Sequence, residues 1–178
     1  MNLIFENIIF LSSEIILVLT AVVLLMLGAF KKKNSAKIVV YFSFIVLILL
    51  SIMEILVPWS SVTIFNNSII QNGYTRFVKI MIYFSSSFAI ILSSRWLMKY
   101  DNKAFEYPIL ILFSVLGMSL MVSANDLITL YLAIELQSLP LYVLASFKRN
   151  NIESSEAGVK YFVLGALSSS LFLFGASI

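Results

Sequence analysis

Only 12% of the 178 residues are charged, 61% are hydrophobic and the mean hydropathy is +1.01, against about 25% charged residues in soluble domains. The chain therefore reads as an all-α polytopic membrane protein, and a soluble-domain reading is excluded. With no cysteine and no histidine it cannot hold thiolate-bound iron–sulfur clusters or histidine-ligated haem, the residues argue against a zinc site, and no cofactor is expected within it. The net charge of +3 is no nucleic-acid footprint, because the basic residues sit in loops beside apolar segments.

In chain order, residues 1–10 are an apolar lead-in with Glu6 as their one charge. A first span is expected over about 11–30, read as retained because no basic segment or small-residue cleavage site precedes it. Glu14 falls within a turn of its start, where an interfacial or interhelical contact suits it better than proton carriage. Lys31, Lys32, Lys33 and Lys37 form a basic cluster. The second span, about 38–58, ends at Pro58-Trp59, with Glu54 one turn inside and read in the same way as Glu14. Residues 60–76 form the long polar connector, with a turn expected at Gly73. They include Asn66-Asn67-Ser68, a glycosylation-type triplet too short to carry weight. The third span, about 77–98, opens with Lys79, expected to snorkel to the interface, and its serines at 85–87 and 93–94 suit close helix packing. The fourth runs from near Glu106 to Ala124, with Pro108 tolerated in its first turn.

The fifth span, Asp126 to Phe147, organises the chain. Asp126 follows Asn125 as a good helix cap, and Glu135 lies ~13 Å below that end, close to the bilayer midplane. An ionised carboxylate there costs at least ~2.5 kcal/mol and needs a partner, water or a proton. Tyr131, Glu135, Ser138 and Tyr142 share one helix face, and Pro140 leaves the carbonyl of Leu136 without its usual donor. The functional reading is a proton or ion site within the membrane; the alternative is a hydrogen bond to a neighbouring helix. Glutamine would serve the second purpose without the risk of charge, which favours the first.

The sixth span is expected to begin near Glu156, capped by Ser155, with Lys160 about one turn inside. Lys160 either snorkels to the interface or partners Glu135. The connector 148–155 is short enough to make spans five and six antiparallel neighbours. Glu135 lies deeper, so water or a third group is a possible bridge between the two. Gly165/Ser169 and Ala166/Ser170 give the helix small-residue spacing for a tightly apposed neighbour. Nine of the twelve basic residues flank loops one, three and five, namely Lys31, Lys32, Lys33, Lys37, Arg95, Lys99, Lys103, Lys148 and Arg149. This places those loops in the cytoplasm or matrix and the N-terminus on the opposite side.

The stretch EYPILILFSVLGMSLMVSANDLITLYLAIELQSLPLYVLAS, followed by SSEAGVKYFVLGALSSSLFLFGAS, closely resembles the antiporter-like subunit 2 family of respiratory complex I, the N subunit of bacterial NADH:quinone oxidoreductase. The likeness is dense over residues 106–178 and collinear before them. Ser13-Glu14-Ile15 stands where the family commonly has Pro-Glu-Ile, and Asn72 where an aspartate is expected, which weakens any salt bridge from that loop. The ELQSLxLYVL form, with Ile134 before the glutamate, resembles subunit 2 rather than the related subunits 4 and 5 or the sodium/proton antiporters, which usually have tryptophan there.

The resemblance implies that Glu135 and Lys160 are the family's membrane-embedded proton-relay residues. It implies a proton-translocating role within an enzyme whose FMN, iron–sulfur clusters and quinone lie in partner subunits. Residues 1–104 would supply helices one to three, and 105–178 the start of the translocating repeat, helices four to six. The expected partners are other membrane-arm subunits, a second chain carrying the remainder of subunit 2, and membrane lipid; no nucleic acid is expected. Richness in Ile, Phe, Asn and Lys, together with an apparently divided subunit, points to the mitochondrial inner membrane, with the bacterial inner membrane as the alternative. The rival functions are a cation/proton antiporter subunit without electron transfer and a purely structural scaffold.

Overall fold

A computed structural model describes residues 10–30, 35–57, 61–100, 105–148 and 150–178, with the side chains of 35 and 95–100 left aside. The Lys31–Lys33 cluster, the Pro58-Trp59 punctuation, Asp101, Lys103 and Arg149 lie outside the described residues. Among those described, six helices are long and apolar enough to cross a membrane: α1 Ser12–Phe30, α2 Ser35–Leu56, α3 Gly73–Tyr100, α4 Glu106–Ser123, α5 Leu127–Ala145 and α6 Ile152–Ala176.

The first four helices enclose one core. On α1 the buried positions are Ser13, Glu14, Leu17, Ala21, Leu24 and Gly28, a three-to-four-residue spacing that marks one face. That face meets Leu47 and Leu50 of α2, Tyr83 and Ile90 of α3, and Leu112 and Val115 of α4. The opposite side of α1, including Leu19, Val22, Val23 and Met26, is exposed, as a lipid-facing surface should be. Lipid tails are as apolar as leucine, so these helices are held by close packing and by polar contacts between them. The hydroxyls of Ser51, Ser87, Ser94 and Ser119 donate to carbonyls three residues earlier on their own helices. These four serines are thereby satisfied within their own helices, whereas the buried Ser43 hydroxyl of α2 has no hydrogen bond among the described residues.

The connector between α2 and α3 is more ordered than its composition suggests. Strands β1 Val62–Ile64 and β2 Ile69–Gln71 pair antiparallel, with Val62 opposite Gln71 and Ile64 opposite Ile69. The turn is made by Phe65, Asn66 and Asn67, at φ of 52°, 53° and 68°; asparagine tolerates this left-handed region better than most residues. Gly73, expected as the turn, instead opens α3, and no described glycine has positive φ. Asn72 caps that helix: its Oδ1 accepts from the Thr75 N–H at 2.9 Å, while Thr75 Oγ1 accepts from the Asn72 N–H at 2.9 Å. Asparagine thus serves well as a cap where the resemblance anticipates aspartate.

The hairpin is tied to the α4–α5 turn. The Asn125 N–H donates to the Ser68 carbonyl at 2.9 Å and its side-chain amide to the Asn67 carbonyl at 2.7 Å. Gln71 Nε2 also donates to the Phe10 carbonyl at 3.0 Å. The start of α1, the second connector and the fourth connector therefore lie at one end of the bundle, as alternating spans require.

Candidate functional site

Asp126 opens α5 as expected, accepting the Thr129 N–H at 2.6 Å, and the helix runs through Pro140 without a break. Its polar stripe faces α6. Tyr131 stacks on Phe172 with ring centroids 6.2 Å apart, and Tyr142 meets Tyr161 edge-on at 4.9 Å and Phe162 at 5.7 Å. Between these aromatic contacts, Ser169 Oγ donates to Glu135 Oε1. Ser138 turns back on its own helix, donating to the Ile134 carbonyl at 2.7 Å. Gly158 rests against Ser146 and Gly165 against the Tyr142 ring, so α6 runs antiparallel along the stripe. The spacing of small residues on α6 is what lets the tyrosines in.

Glu135 is half-buried and lies ~12 Å along α5 from Leu127. Its carboxylate therefore sits at mid-membrane depth with a serine hydroxyl from the adjacent helix as partner. Such a group can accept, hold and release a proton, since a protonated carboxyl donates where a carboxylate only accepts.

Lys160 is placed differently from the sequence expectation. The cap of α6 is Asn151, whose Oδ1 accepts the Ser154 N–H at 3.0 Å, and the acidic residue of the first turn is Glu153. Ser155 and Glu156 are already inside the helix. Lys160 consequently lies ~12 Å along α6, two turns in rather than one. It pairs at 2.5 Å with Glu156 on its own helix, with side-chain exposures of 70% and 58%. It is not brought to Glu135. Ser169 marks the level of Glu135, nine residues and ~13 Å further along the axis, and Lys160 lies off the face formed by Gly158, Gly165, Ser169 and Phe172.

A second set of ionisable residues was given only a modest role by the sequence reading. Lys79, expected to snorkel, has no exposed surface. Its Nζ lies 2.5 Å from Glu14 Oε1, joining α3 to α1. Ser13 Oγ lies 2.9 Å from Glu14 Oε2 and 2.6 Å from Glu54 Oε1 of α2. Arg76 is 2% exposed, and its Nε and Nη1 have no hydrogen bond among the described residues. The signal was present in the spacing: Arg76, Lys79, Tyr83 and Ile90 recur at helical intervals and form the buried face of α3. Snorkelling fails for Lys79 because this face turns into the bundle.

With the geometry in view, the family model described as "NADH:quinone oxidoreductase/Mrp antiporter, TM" matches residues 124–178. The chain is 42% identical over 165 residues to NADH-quinone oxidoreductase subunit N of Parvibaculum lavamentivorans, covering 93% of this chain and 34% of the relative. It is 42% identical over 174 residues to subunit N of Pelagibacter ubique, covering 97% and 37%. A chain in the structure of respiratory complex I from Thermus thermophilus with bound aureothin superposes with a TM-score of 0.77 at 27% identity, covering 93% of this chain and 35% of that one. The resemblance to subunit N holds across nearly the whole chain. The chain spans about a third of the length of these relatives. Because the relatives are bacterial, the expectation of a mitochondrial source is not supported. Compositional bias towards Ile, Phe, Asn and Lys reflects nucleotide usage and does not identify a compartment.

Proposed function

We propose that this chain forms part of a proton-translocating membrane-arm subunit of a bacterial NADH:quinone oxidoreductase, embedded in the inner membrane with Glu135 as the proton-holding group of α5. The observation that carries this reading is a carboxylate at mid-membrane depth, facing a hydroxyl of the next helix, in a chain similar over 93% of its length to subunit N. On this reading the oxidoreductase activity belongs to the assembly. The FMN, iron–sulfur clusters and quinone are held by partner subunits, and the other membrane-arm subunits and lipid surround this one. The remainder of the subunit comes from further polypeptide, in the same chain or a second one, and residues 105–178 begin its translocating repeat. Lys160 is the second relay residue. Its distance from Glu135 requires a proton passing between them to use intervening groups; Ser169 contacts Glu135 directly, and the Tyr142 hydroxyl, at the level of Gly165, lies between the two residues along α6.

Replacing Glu135 by glutamine preserves shape and hydrogen bonding but removes the titratable proton. Assembly should survive, while proton pumping and the quinone reduction tightly coupled to it fall substantially. Glu135→Asp should retain more of both, and Lys160→Met should impair pumping with assembly intact. The measurement is NADH-driven quinone reduction and pumping in membranes of matched complex content; full pumping by Glu135→Gln would leave Glu135 a packing residue. The matching family description also names Mrp antiporters, so a cation/proton antiporter is the second reading. NADH oxidation and bound flavin in the native assembly separate the two.

A further inference from the structure

Glu14, Glu54 and Lys79 meet inside the bundle from three different helices, and Ser13 joins the two carboxylates. The residues are almost completely enclosed by protein, with Glu14 at 4%, Glu54 at 6% and Lys79 at 0% exposure. Ser13 Oγ is within hydrogen-bond distance of both Glu14 Oε2, at 2.9 Å, and Glu54 Oε1, at 2.6 Å. A serine hydroxyl carries one proton, and an ionised carboxylate can only accept. Two ionised carboxylates would leave one of these two short contacts without a proton of its own. The Lys79 ammonium donates to Glu14 Oε1 at 2.5 Å, so Glu14 is the carboxylate already engaged as an acceptor and Glu54 is the one left to supply a proton to the serine.

We propose that Glu54, Ser13 and Glu14 form a second proton-holding site in which Glu54 carries the proton, Ser13 accepts from it and donates to Glu14, and Lys79 holds Glu14 as the anion. The arrangement is a directed hydrogen-bond chain from α2 through α1 to α3. It also permits a concerted transfer. The Glu54 O–H bond breaks as its proton passes to Ser13 Oγ, and the original Ser13 O–H bond breaks as that proton passes to Glu14. The hydroxyl is regenerated, Glu54 becomes the carboxylate and Glu14 the acid, and no other reactant is consumed.

The group next along is Tyr83 of α3, fully buried, with its hydroxyl close to Ser13 and to Ser119 of α4. Among the described residues, Lys79 and Tyr83 of α3 face the chain, and Arg76 lies on the same buried face of α3. On α4 the facing group is Ser119, and the one charged residue of that helix, Glu106, is in its first turn at the far end. Glu135 belongs to a separate interface, between α5 and α6.

The test is infrared spectroscopy of the membrane assembly that contains this chain, at neutral pH. It is made in a Glu135→Gln background, so that success or failure of the Glu135 reading does not enter. Glu54→Gln should abolish one protonated-carboxyl carbonyl band and leave the ionised-carboxylate bands unchanged. Ser13→Ala should keep that band but shift it, because the acid loses its acceptor. Loss of a carboxylate band alone in Glu54→Gln overturns the proposal. If Glu54→Gln fails to assemble, Ser13→Ala decides: a protonated-carboxyl band that does not move overturns it equally.

Discussion

Lys79 and Lys160 both stand well inside apolar helices, ~9 Å and ~12 Å from the starts of α3 and α6, yet their surroundings differ completely. Lys79 is enclosed where α1, α2 and α4 pack around α3, and its partner Glu14 comes from 65 residues away. Lys160 stands on a helix that rests on α5 alone among the principal contacts, and its partner is one turn back on the same helix. What separates them is the number of helices around each position, not depth along the helix. Around Lys79, charge is matched between elements and shielded. In the last two, ionisable side chains keep more surface, and Glu135 has one hydroxyl from a neighbouring helix.

The largest expected effect breaks that contrast if it fails. Lys79→Met leaves Glu14 enclosed without its cation, and removing one partner of a buried ion pair costs about 3–5 kcal/mol. Lys160→Met removes a pair between residues one turn apart on the same helix that no other described element encloses, and should cost much less. Denaturant unfolding in detergent, or the abundance of assembled complex at raised temperature, should therefore separate the two variants clearly. Equal losses would mean that the enclosure of Lys79 has no energetic consequence.

Glycines sharpen the same comparison. A Cβ on Gly117 of α4 would fall on the backbone of Gln137 in α5, whereas one on Gly165 of α6 would meet the hydroxyl end of Tyr142. Backbone cannot yield, so Gly117→Ala should force α4 and α5 apart at about 1–3 kcal/mol, the usual range for overpacking. Tyr142 can rotate away, so Gly165→Ala should cost less and show mainly as lost order in the Tyr142–Tyr161 contact. Thermal unfolding of the two variants, with tyrosine fluorescence for the second, checks the order.

Much of this was legible in the chain. The spans follow from runs of apolar residues, and the α5–α6 pairing from a short connector together with the stripe of Tyr131, Glu135 and Tyr142. The hairpin was not, because strands of three residues are too short to establish an alternating period and its turn uses no glycine. The start of α6 was placed late because Asn151 and Ser155 are both competent caps, and only the backbone distinguishes them. Lys79 was misread because depth was weighed without asking which way its helix face turned. Its spacing from Arg76 and Tyr83, with Glu14 and Glu54 at the same end of the bundle, held that information.

The smallest expected effect lies outside the spans, at the cap of α5. The Thr129 N–H holds the Asp126 carboxyl below its ordinary value of 3.8, helped by the Thr129 and Ser68 side chains. A folded value below the unfolded one means that the cap contributes fully above pH 3.8 and fades as pH falls through the lower folded value. Asp126→Asn keeps an oxygen that can accept the Thr129 N–H but has no proton to gain. Wild type should therefore lose slightly more stability than Asp126→Asn as the solution is taken below that range, with the curves parallel above it. The partial exposure of Asp126 keeps the difference small, and raising ionic strength should leave most of it, because it arises from a short hydrogen bond rather than a distant charge. Parallel unfolding curves down to the most acid point would show that the cap holds α5 no more tightly as an anion than as an acid.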